Sequence, residues 1–149
     1  MGEFEILPHT ADVGFRARGE SLADLFETAA RAMFSLEYDP ATVPLEQEVE
    51  VRAEGGDPEA ALYGWLSELI WLHDAEGFVP GDVRVSAIEP SAPGGGAGRS
   101  GLSVKGTVLG AGLSDWFVQT GPQLKAVTMH GLEVGPRPAG YEATVYLDV

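Results

Sequence analysis

Residues 9–15, which read HTADVGF, set a histidine, a threonine and an aspartate directly before an apolar alternation near the start of the chain. Val13 and Phe15 alternate with other residues, so we expect a strand to begin at Asp12 or directly after it. Thr10 and Asp12 would then lie at the strand entrance. The simpler interpretation is an Asx turn, in which the Asp12 carboxylate accepts backbone N–H groups. The alternative is that Asp12 holds a ligand.

The end of the chain offers further carboxylates. In YEATVYLDV, period-two alternation predicts a last strand with Asp148 on its less apolar face, directly before the terminal residue Val149. If this strand end meets the HTAD turn, Asp12, Asp148 and the terminal carboxylate converge, and such close like charges would repel one another. A hard cation bound by oxygen ligands, such as Ca²⁺, Mg²⁺ or Mn²⁺, would relieve that repulsion. Sequence spacing alone leaves this meeting open.

The segment PQLKAVTMHGLEV contributes one cation and one imidazole. Lys125 stands among apolar residues in the sequence, which suits either a salt bridge to acidic groups or a functional cation. His130 is interpreted first as a packed side chain, with hydrogen bonding and metal ligation as alternatives. His73, on a predicted helix, is interpreted as structural.

The composition limits the classes of function. The 149-residue chain suits one domain, 1–149, and its 44% hydrophobic and 21% charged residues are typical of globular proteins. With 9 Lys and Arg against 23 Asp and Glu, the net charge of -14 disfavours direct binding of DNA or RNA. The lack of cysteine excludes disulfides, zinc–thiolate sites and thiol nucleophiles. No signal peptide and no apolar run of membrane-spanning length are visible, so we expect a cytoplasmic protein.

Two helices are predicted from their caps and apolar faces. The first begins after Ser21, a capping residue with Asp24 three positions on. The second begins after Asp57, has Pro58 at its first position and stops at Gly77. Helical spacing defines the two apolar faces, which consist of Leu22, Leu25, Phe26, Ala29 and Met33 in the first helix and Leu62, Leu66, Leu69, Ile70 and His73 in the second.

Period-two alternation marks the remaining segments as strands, and the order of strands and helices shows no βαβ repeat. This pattern predicts an α+β fold of two layers, in which a mixed or antiparallel sheet carries two helices packed on one face. A glycine-rich stretch at about 91–101 is expected to be a flexible hairpin tip, because it lacks the Gly-Lys-Ser/Thr ending of a phosphate-binding loop.

Catalytic motifs are scarce. No G-x-S-x-G sequence is present, and no pair of carboxylates stands out for acid–base chemistry. A metal-dependent phosphohydrolase with Asp12 and Asp148 as ligands stays open, although it lacks an evident base, nucleophile or set of phosphate-binding cations.

Four segments, HTADVGF, LYGWLSELIWLHD, QLKAVTMHGLEV and the final YLDV, together resemble the archease family in order and spacing over essentially the whole chain. The resemblance implies a small acidic protein that activates an RtcB-type RNA ligase in tRNA splicing and RNA repair. It implies faster guanylylation of the ligase and multiple turnover, with the chain itself not acting as the catalyst. A general chaperone is the third hypothesis, because activation of a partner resembles protection from aggregation.

The resemblance also implies a metal site. A divalent cation is expected on Asp12, Asp148 and Val149, the last through its main-chain or terminal oxygens. Ca²⁺ is the ion expected in structures, and Mg²⁺ or Mn²⁺ is possible in function. Apart from the resemblance, His9, Thr10 and His130 are candidates for supporting contacts around the cation.

Two further residues carry the expected partner activation. Lys125 matches the lysine that the family needs, and Glu68 matches the acidic residue of the second-helix motif. The sequence departs from the family at Met129, where an aromatic residue is usual, so any contact of that ring is in doubt. No function is expected of the glycine-rich stretch.

Overall fold

In the computed structural model of this protein, residues 2–7, 13–90, 101–113 and 119–149 are described. Seven strands, two α-helices and one short 3-10 turn (Pro40–Thr42) lie in this part of the chain. In chain order the helices and strands are β1 (Glu3–Leu7), β2 (Val13–Gly19), α1 (Leu22–Ser35), β3 (Gln47–Gly55), α2 (Pro58–Glu76), β4 (Phe78–Pro90), β5 (Leu102–Gly112), β6 (Ala126–Arg137) and β7 (Gly140–Asp148).

The strands form two sheets in which every pairing is antiparallel. One sheet has the order β1-β2-β7-β6 and the other the order β3-β5-β4. Helix α1 packs against β2 and β4, and α2 packs against β3 and β6, so each helix contacts both sheets. The predicted α+β class with two helices is confirmed, and the strands divide between two sheets where the alternation suggested one.

Both helix starts follow the predicted capping chemistry. Ser21 Oγ accepts a hydrogen bond from the Asp24 N–H at 3.1 Å, and the Asp24 carboxylate accepts one from the Glu20 N–H at 2.9 Å. The Asp57 carboxylate accepts from the Ala60 N–H at 2.7 Å. Each such bond satisfies an N–H group that the helix leaves open, and a cap contributes about 1 kcal/mol to stability.

Helix α2 ends as the sequence predicts. Gly77 adopts φ 65°, in the left-handed region, and its N–H donates to the Leu72 carbonyl oxygen. Leu62, Leu66, Leu69 and Ile70 are buried together with the predicted structural histidine, His73. None of the helices in the described residues combines the length and apolar character needed to cross a bilayer.

The core lies between the helices and the sheets. The Trp65 side chain of α2 is fully buried, and its indole N–H donates to the Phe26 carbonyl oxygen of α1 at 3.2 Å. A Cβ atom at Gly106 of β5 would collide with the Trp65 ring, so this strand position needs glycine. On β7 the predicted inward face is confirmed, with Ala143, Val145 and Leu147 buried.

The glycine-rich stretch connects β4 to β5. Pro90 pairs with Leu102 in the antiparallel ladder, so residues 91–101 join the two strands. Residues 91–100 lie outside the described residues, and the expectation of a flexible tip stays a prediction.

Candidate functional site

The register between β2 and β7 sets the first residue of β2 beside the end of β7. Val13, the first residue of β2, pairs with Leu147 near the end of β7. The residue that precedes Val13 in the chain is Asp12, and the residue that follows Leu147 is Asp148. Asp12, like His9 and Thr10, lies outside the described residues. The described ladder therefore brings the two chain segments together without testing the cation site itself.

Strand β6 adds Lys125 to the same end of the sheet. Ala126 pairs with Asp148, and the Lys125 N–H donates to the Asp148 carbonyl oxygen at 3.0 Å. The Lys125 side chain is exposed. Two residues predicted from the sequence to be functional are thus joined through their main chains.

Lys125 differs from the other basic residues of the described chain. Arg16, Arg18, Arg31, Arg52, Arg84, Lys105 and Arg137 each have a carboxylate oxygen within 4 Å. In the same described ranges, Lys125 is the lysine or arginine side chain without such a partner. No described carboxylate therefore engages the Lys125 ammonium group in a salt bridge.

The carboxylate of Asp148 is similarly open. The residue is exposed, and its side chain makes no hydrogen bond or ion pair with another described residue, while Val149 is half-buried. Carboxylate and main-chain oxygens are the ligands that hard divalent cations prefer, so these two residues fit the expected ion. No group of three or more acidic or histidine residues suited to a metal occurs among the residues whose positions are described, and the predicted ligand Asp12 lies outside them.

Other predicted residues lie away from these contacts. Glu68 is exposed on α2 and makes no hydrogen bond or ion pair with a described residue. His130 is also exposed, and its carbonyl oxygen accepts from Thr128 Oγ1 at 3.3 Å. The interpretation of His130 as a packed side chain is therefore wrong.

A bulge explains why β6 departs from strict alternation. The pairing of β6 with β7 shifts register between Thr128 and Glu133, and Gly131 within this stretch adopts φ 73°. A Cβ atom at Gly131 would lie 3.0 Å from the ring of Tyr146 on β7. Met129 is 54% exposed as a result, although Val127 two residues earlier is buried.

Inside the fold, Glu37 and His73 form a buried pair. Glu37 follows the end of α1 and is 2% exposed, whereas His73 lies in the last turn of α2 and is 8% exposed. Glu37 Oε2 lies 2.7 Å from His73 Nε2, and His73 Nδ1 lies 2.9 Å from the Phe78 carbonyl oxygen. Both ring nitrogens face acceptors, which suits a protonated imidazole that donates two hydrogen bonds.

The pKa shifts of the two groups agree with an ionised pair. Burial opposes ionisation of Glu37, but hydrogen bonds from His73 and from the Leu124 N–H lower the pKa of its carboxyl group. Burial likewise opposes protonation of His73, but the bonds to Glu37 and to the Phe78 carbonyl raise its pKa. Burial also raises the pKa of the neighbouring Tyr38 hydroxyl, and the charge of Glu37 adds to this effect.

Glu37 also anchors residues 119–125, the lead-in segment of β6. Its Oε1 atom accepts from the Leu124 N–H at 2.9 Å. Its main-chain carbonyl oxygen accepts from the N–H groups of Thr120 and Gly121 at 2.8 and 3.0 Å. The residue after Leu124 is Lys125, so one buried side chain holds the approach to the exposed lysine.

Sequence reasoning missed Glu37, although a signal was present. Glu37 stands four residues after Met33, so it continues the apolar face of α1 by one turn. His73 occupies the apolar face of α2. An acidic and an imidazole side chain on two faces that both turn toward the core indicate a buried pair.

Comparison with known proteins gives a consistent match. The model of the archease protein family (MTH1598/TM1083) matches residues 4–149. The protein archease of Archaeoglobus fulgidus is 35% identical over 147 residues, which cover 99% of each chain. The protein archease of Methanothermobacter thermautotrophicus is 33% identical over 149 residues, covering 100% of both chains.

Solved structures agree with the fold. The solution structure of protein 1598 from Methanobacterium thermoautotrophicum superimposes with a TM-score of 0.79 at 31% identity and covers 98% of each chain. The crystal structure of an archease from Thermotoga maritima, described as a possible chaperone, shares the fold with a TM-score of 0.57 at 22% identity, over 96% of this chain and 94% of that one. Because the family model and relatives above 30% identity span nearly its full length, this chain belongs to the archease family.

Proposed function

We propose that this protein activates an RtcB-type RNA ligase in tRNA splicing and RNA repair, promoting guanylylation and multiple turnover of the ligase. In this role it works in the cytoplasm and is not itself the catalyst. One observation carries the proposal beyond family membership. Lys125 and Asp148 are joined through their main chains, yet neither ionic side chain has a partner among the described residues.

The strand-end surface, formed by Lys125, Asp148 and Val149, is the part of the protein that would meet the ligase. We propose that oxygens of Asp148 and Val149, with those of Asp12, hold one divalent cation. A bound cation supplies positive charge that phosphate oxygens of a nucleotide can share. Lys125 supplies a second positive charge for a phosphate or a partner carboxylate, and Glu68 is a candidate contact on α2.

The charge of the whole protein suits a protein partner better than RNA. With a net charge of -14, the protein repels phosphate backbones. The same charge would attract it to a basic channel on a ligase. Association driven by such complementarity is faster at low salt, because salt screens the attraction. We therefore expect activation to weaken as ionic strength rises.

A guanylylation and multiple-turnover ligation assay with a purified RtcB-type ligase tests the proposal. We expect the parent protein to increase turnover, Asp12→Ala and Asp148→Ala to abolish the increase, and Lys125→Ala to reduce it at least tenfold. Glu48→Ala is the matched control, since Glu48 is exposed on β3 without a hydrogen bond or ion pair to a described residue. Full stimulation by Asp12→Ala or Asp148→Ala would remove the cation mechanism, and full stimulation by Lys125→Ala would remove the role of the lysine.

A general chaperone is the second candidate, favoured by the description of the Thermotoga maritima relative as a possible chaperone. Exposed apolar side chains such as Trp71 and Leu113, which are 55% and 62% exposed, would suit it. A chaperone would protect unrelated client proteins at stoichiometric ratio, with Asp148 dispensable. Incubation of the protein with phosphoesters and Mg²⁺ or Mn²⁺, in the absence of a ligase, tests for a phosphohydrolase. A phosphohydrolase would hydrolyse the phosphoesters, whereas a ligase activator or a chaperone would not.

A further inference from the structure

We propose that Glu37, held by His73, is a positioning residue that fixes the lead-in segment of β6 and thereby sets where Lys125 is presented beside Asp148. The proposal rests on the proposed function of Lys125 and adds to it a buried residue more than 80 positions earlier in the chain.

The contacts of Glu37 account for three N–H groups of a segment that has no helix or long strand. Its carboxylate accepts from Leu124, and its carbonyl oxygen accepts from Thr120 and Gly121. Backbone groups removed from water need such partners, so an irregular segment adopts the path that supplies them. Here a single residue supplies all three.

The lead-in segment is also held by close packing. The Leu124 side chain is fully buried, and a Cβ atom at Gly121 would collide with the Leu36 carbonyl oxygen. Tyr38 forms an isolated antiparallel bridge with Gln119. The segment is thus held against the end of α1 at Gly121 and Leu124, and its last anchor before Lys125 is the bond from Leu124 to Glu37.

His73 fixes the direction of the Glu37 carboxylate. Glu37 Oε2 contacts His73 Nε2, and Glu37 Oε1 accepts from the Leu124 N–H. Each of the two carboxylate oxygens therefore has its own partner. The imidazole is itself oriented by the Phe78 carbonyl oxygen and by the rings of Phe34 and Tyr38, whose centroids lie 5.7 and 5.9 Å from its own. A carboxylate held in this way has one orientation available for the Leu124 N–H.

Two variants distinguish a role of Glu37 in positioning the lead-in segment from a role in the stability of the whole fold. Glu37→Gln keeps an oxygen acceptor for Leu124, and its NH₂ group donates to a neutral His73 whose other nitrogen still donates to Phe78. Glu37→Leu with His73→Phe removes the acceptor and keeps the site filled with apolar atoms of similar volume. Val108→Ala, in the buried centre of β5, is a destabilised control in the other sheet.

Amide hydrogen exchange on the intact protein is the test. We expect the Leu124 and Lys125 amides to exchange at least tenfold faster in Glu37→Leu/His73→Phe, relative to amides of β2. In Glu37→Gln they should stay within about threefold of the parent, since an exchange rate follows the free energy of local opening. Val108→Ala should leave that ratio unchanged. Unchanged rates at both amides in the double variant, or equal acceleration in Glu37→Gln, would overturn the proposal.

Stimulation of the ligase by the same variants is the second measurement. We expect a loss of at least fivefold in Glu37→Leu/His73→Phe, and near-parent stimulation in Glu37→Gln and in Val108→Ala. If exchange accelerates while stimulation stays at the parent level, and Lys125→Ala still lowers stimulation, positioning of the lysine is overturned. If Lys125→Ala also stimulates fully, the proposed function of the lysine fails, and the exchange rates alone decide whether Glu37 positions the segment.

Discussion

The charged groups of the buried Glu37–His73 pair have partners within the fold, whereas those of the strand-end surface have none in the described part of the chain. The two regions are nevertheless close along the chain, because Leu124, which donates to Glu37, directly precedes Lys125. Each oxygen of the Glu37 carboxylate and each nitrogen of the His73 ring has a partner within the fold. At the strand ends, the side chains of Lys125 and Asp148 have no partner in the described chain. Among the described residues, the fold therefore pairs these two interior charges and leaves these two surface charges unpaired.

The energetic reason lies in solvation. A buried ion loses several kcal/mol of hydration, so it is tolerated only with a partner and further hydrogen bonds. An exposed ion keeps its water, so an unpaired ammonium or carboxylate at a surface costs little. Loss of a partner should therefore destabilise the fold at the interior pair and should have little effect on stability at the strand ends.

The largest effect should follow from breaking the interior pair on one side. Glu37→Ala leaves His73 and the Leu124 N–H without their acceptor, and we expect it to lower the free energy of unfolding by about 3–5 kcal/mol. Asp148→Ala, an exposed change of the same charge, should stay within about 0.5 kcal/mol. Urea unfolding of both variants provides the measurement. Similar stabilities for the two would abolish the distinction between the regions.

A smaller effect is expected where the two regions are joined. Gly121→Ala places a methyl group against the Leu36 carbonyl oxygen, which backbone movement must relieve. Such overpacking costs about 1–3 kcal/mol, and the strain should be confined to the lead-in segment. Urea unfolding gives the cost, and amide exchange gives its location. Gly56→Ala is the control, because a Cβ at Gly56 meets no atom within 4 Å. Equal costs for the two substitutions would contradict the tight packing of the segment.

The smallest effect is a dependence of stability on pH that comes from the interior pair. The pKa of His73 is raised above 6.5, so its contribution is full below pH 6.5 and is lost as pH rises through the folded pKa. The pKa of Glu37 is lowered below 4.5, so its contribution is full above pH 4.5 and is lost as pH falls through the folded pKa. Among the described residues, Asp74 and Tyr38 are further titratable groups that interact electrostatically with the pair.

Thermal unfolding measured across a range of pH tests this dependence of stability on pH. The advantage of the parent over Glu37→Leu/His73→Phe should be greatest between pH 4.5 and 6.5, the ordinary values of the two groups, and should shrink on both sides. A parent advantage that grows steadily from pH 6.5 to pH 9 would contradict an ionised Glu37–His73 pair.

Local rules account for the parts of this fold that the sequence predicted. Caps at Ser21 and Asp57 and the stop at Gly77 depend on neighbouring residues, and they are confirmed. The apolar faces of α1, α2 and β7 follow from periodicity alone. These features need no knowledge of which elements meet.

Features that depend on distant contacts were not predictable in the same way. The division into two sheets is decided by strand pairings across the whole chain. Register shifts around Gly131 expose Met129 and His130, which strict alternation could not anticipate. Glu37 was missed because its role depends on His73 and Leu124, which lie far away in the sequence.

Direct titration of the protein with Ca²⁺ and Mn²⁺, followed by calorimetry, tests the central claim about the strand-end surface. We expect the parent to bind one equivalent of cation, Asp12→Asn and Asp148→Asn each to weaken binding at least tenfold, and Glu48→Gln to bind as the parent does. A tenfold loss corresponds to about 1.4 kcal/mol of binding free energy. Equal affinity of the parent and both aspartate variants would show that these carboxylates do not share an ion.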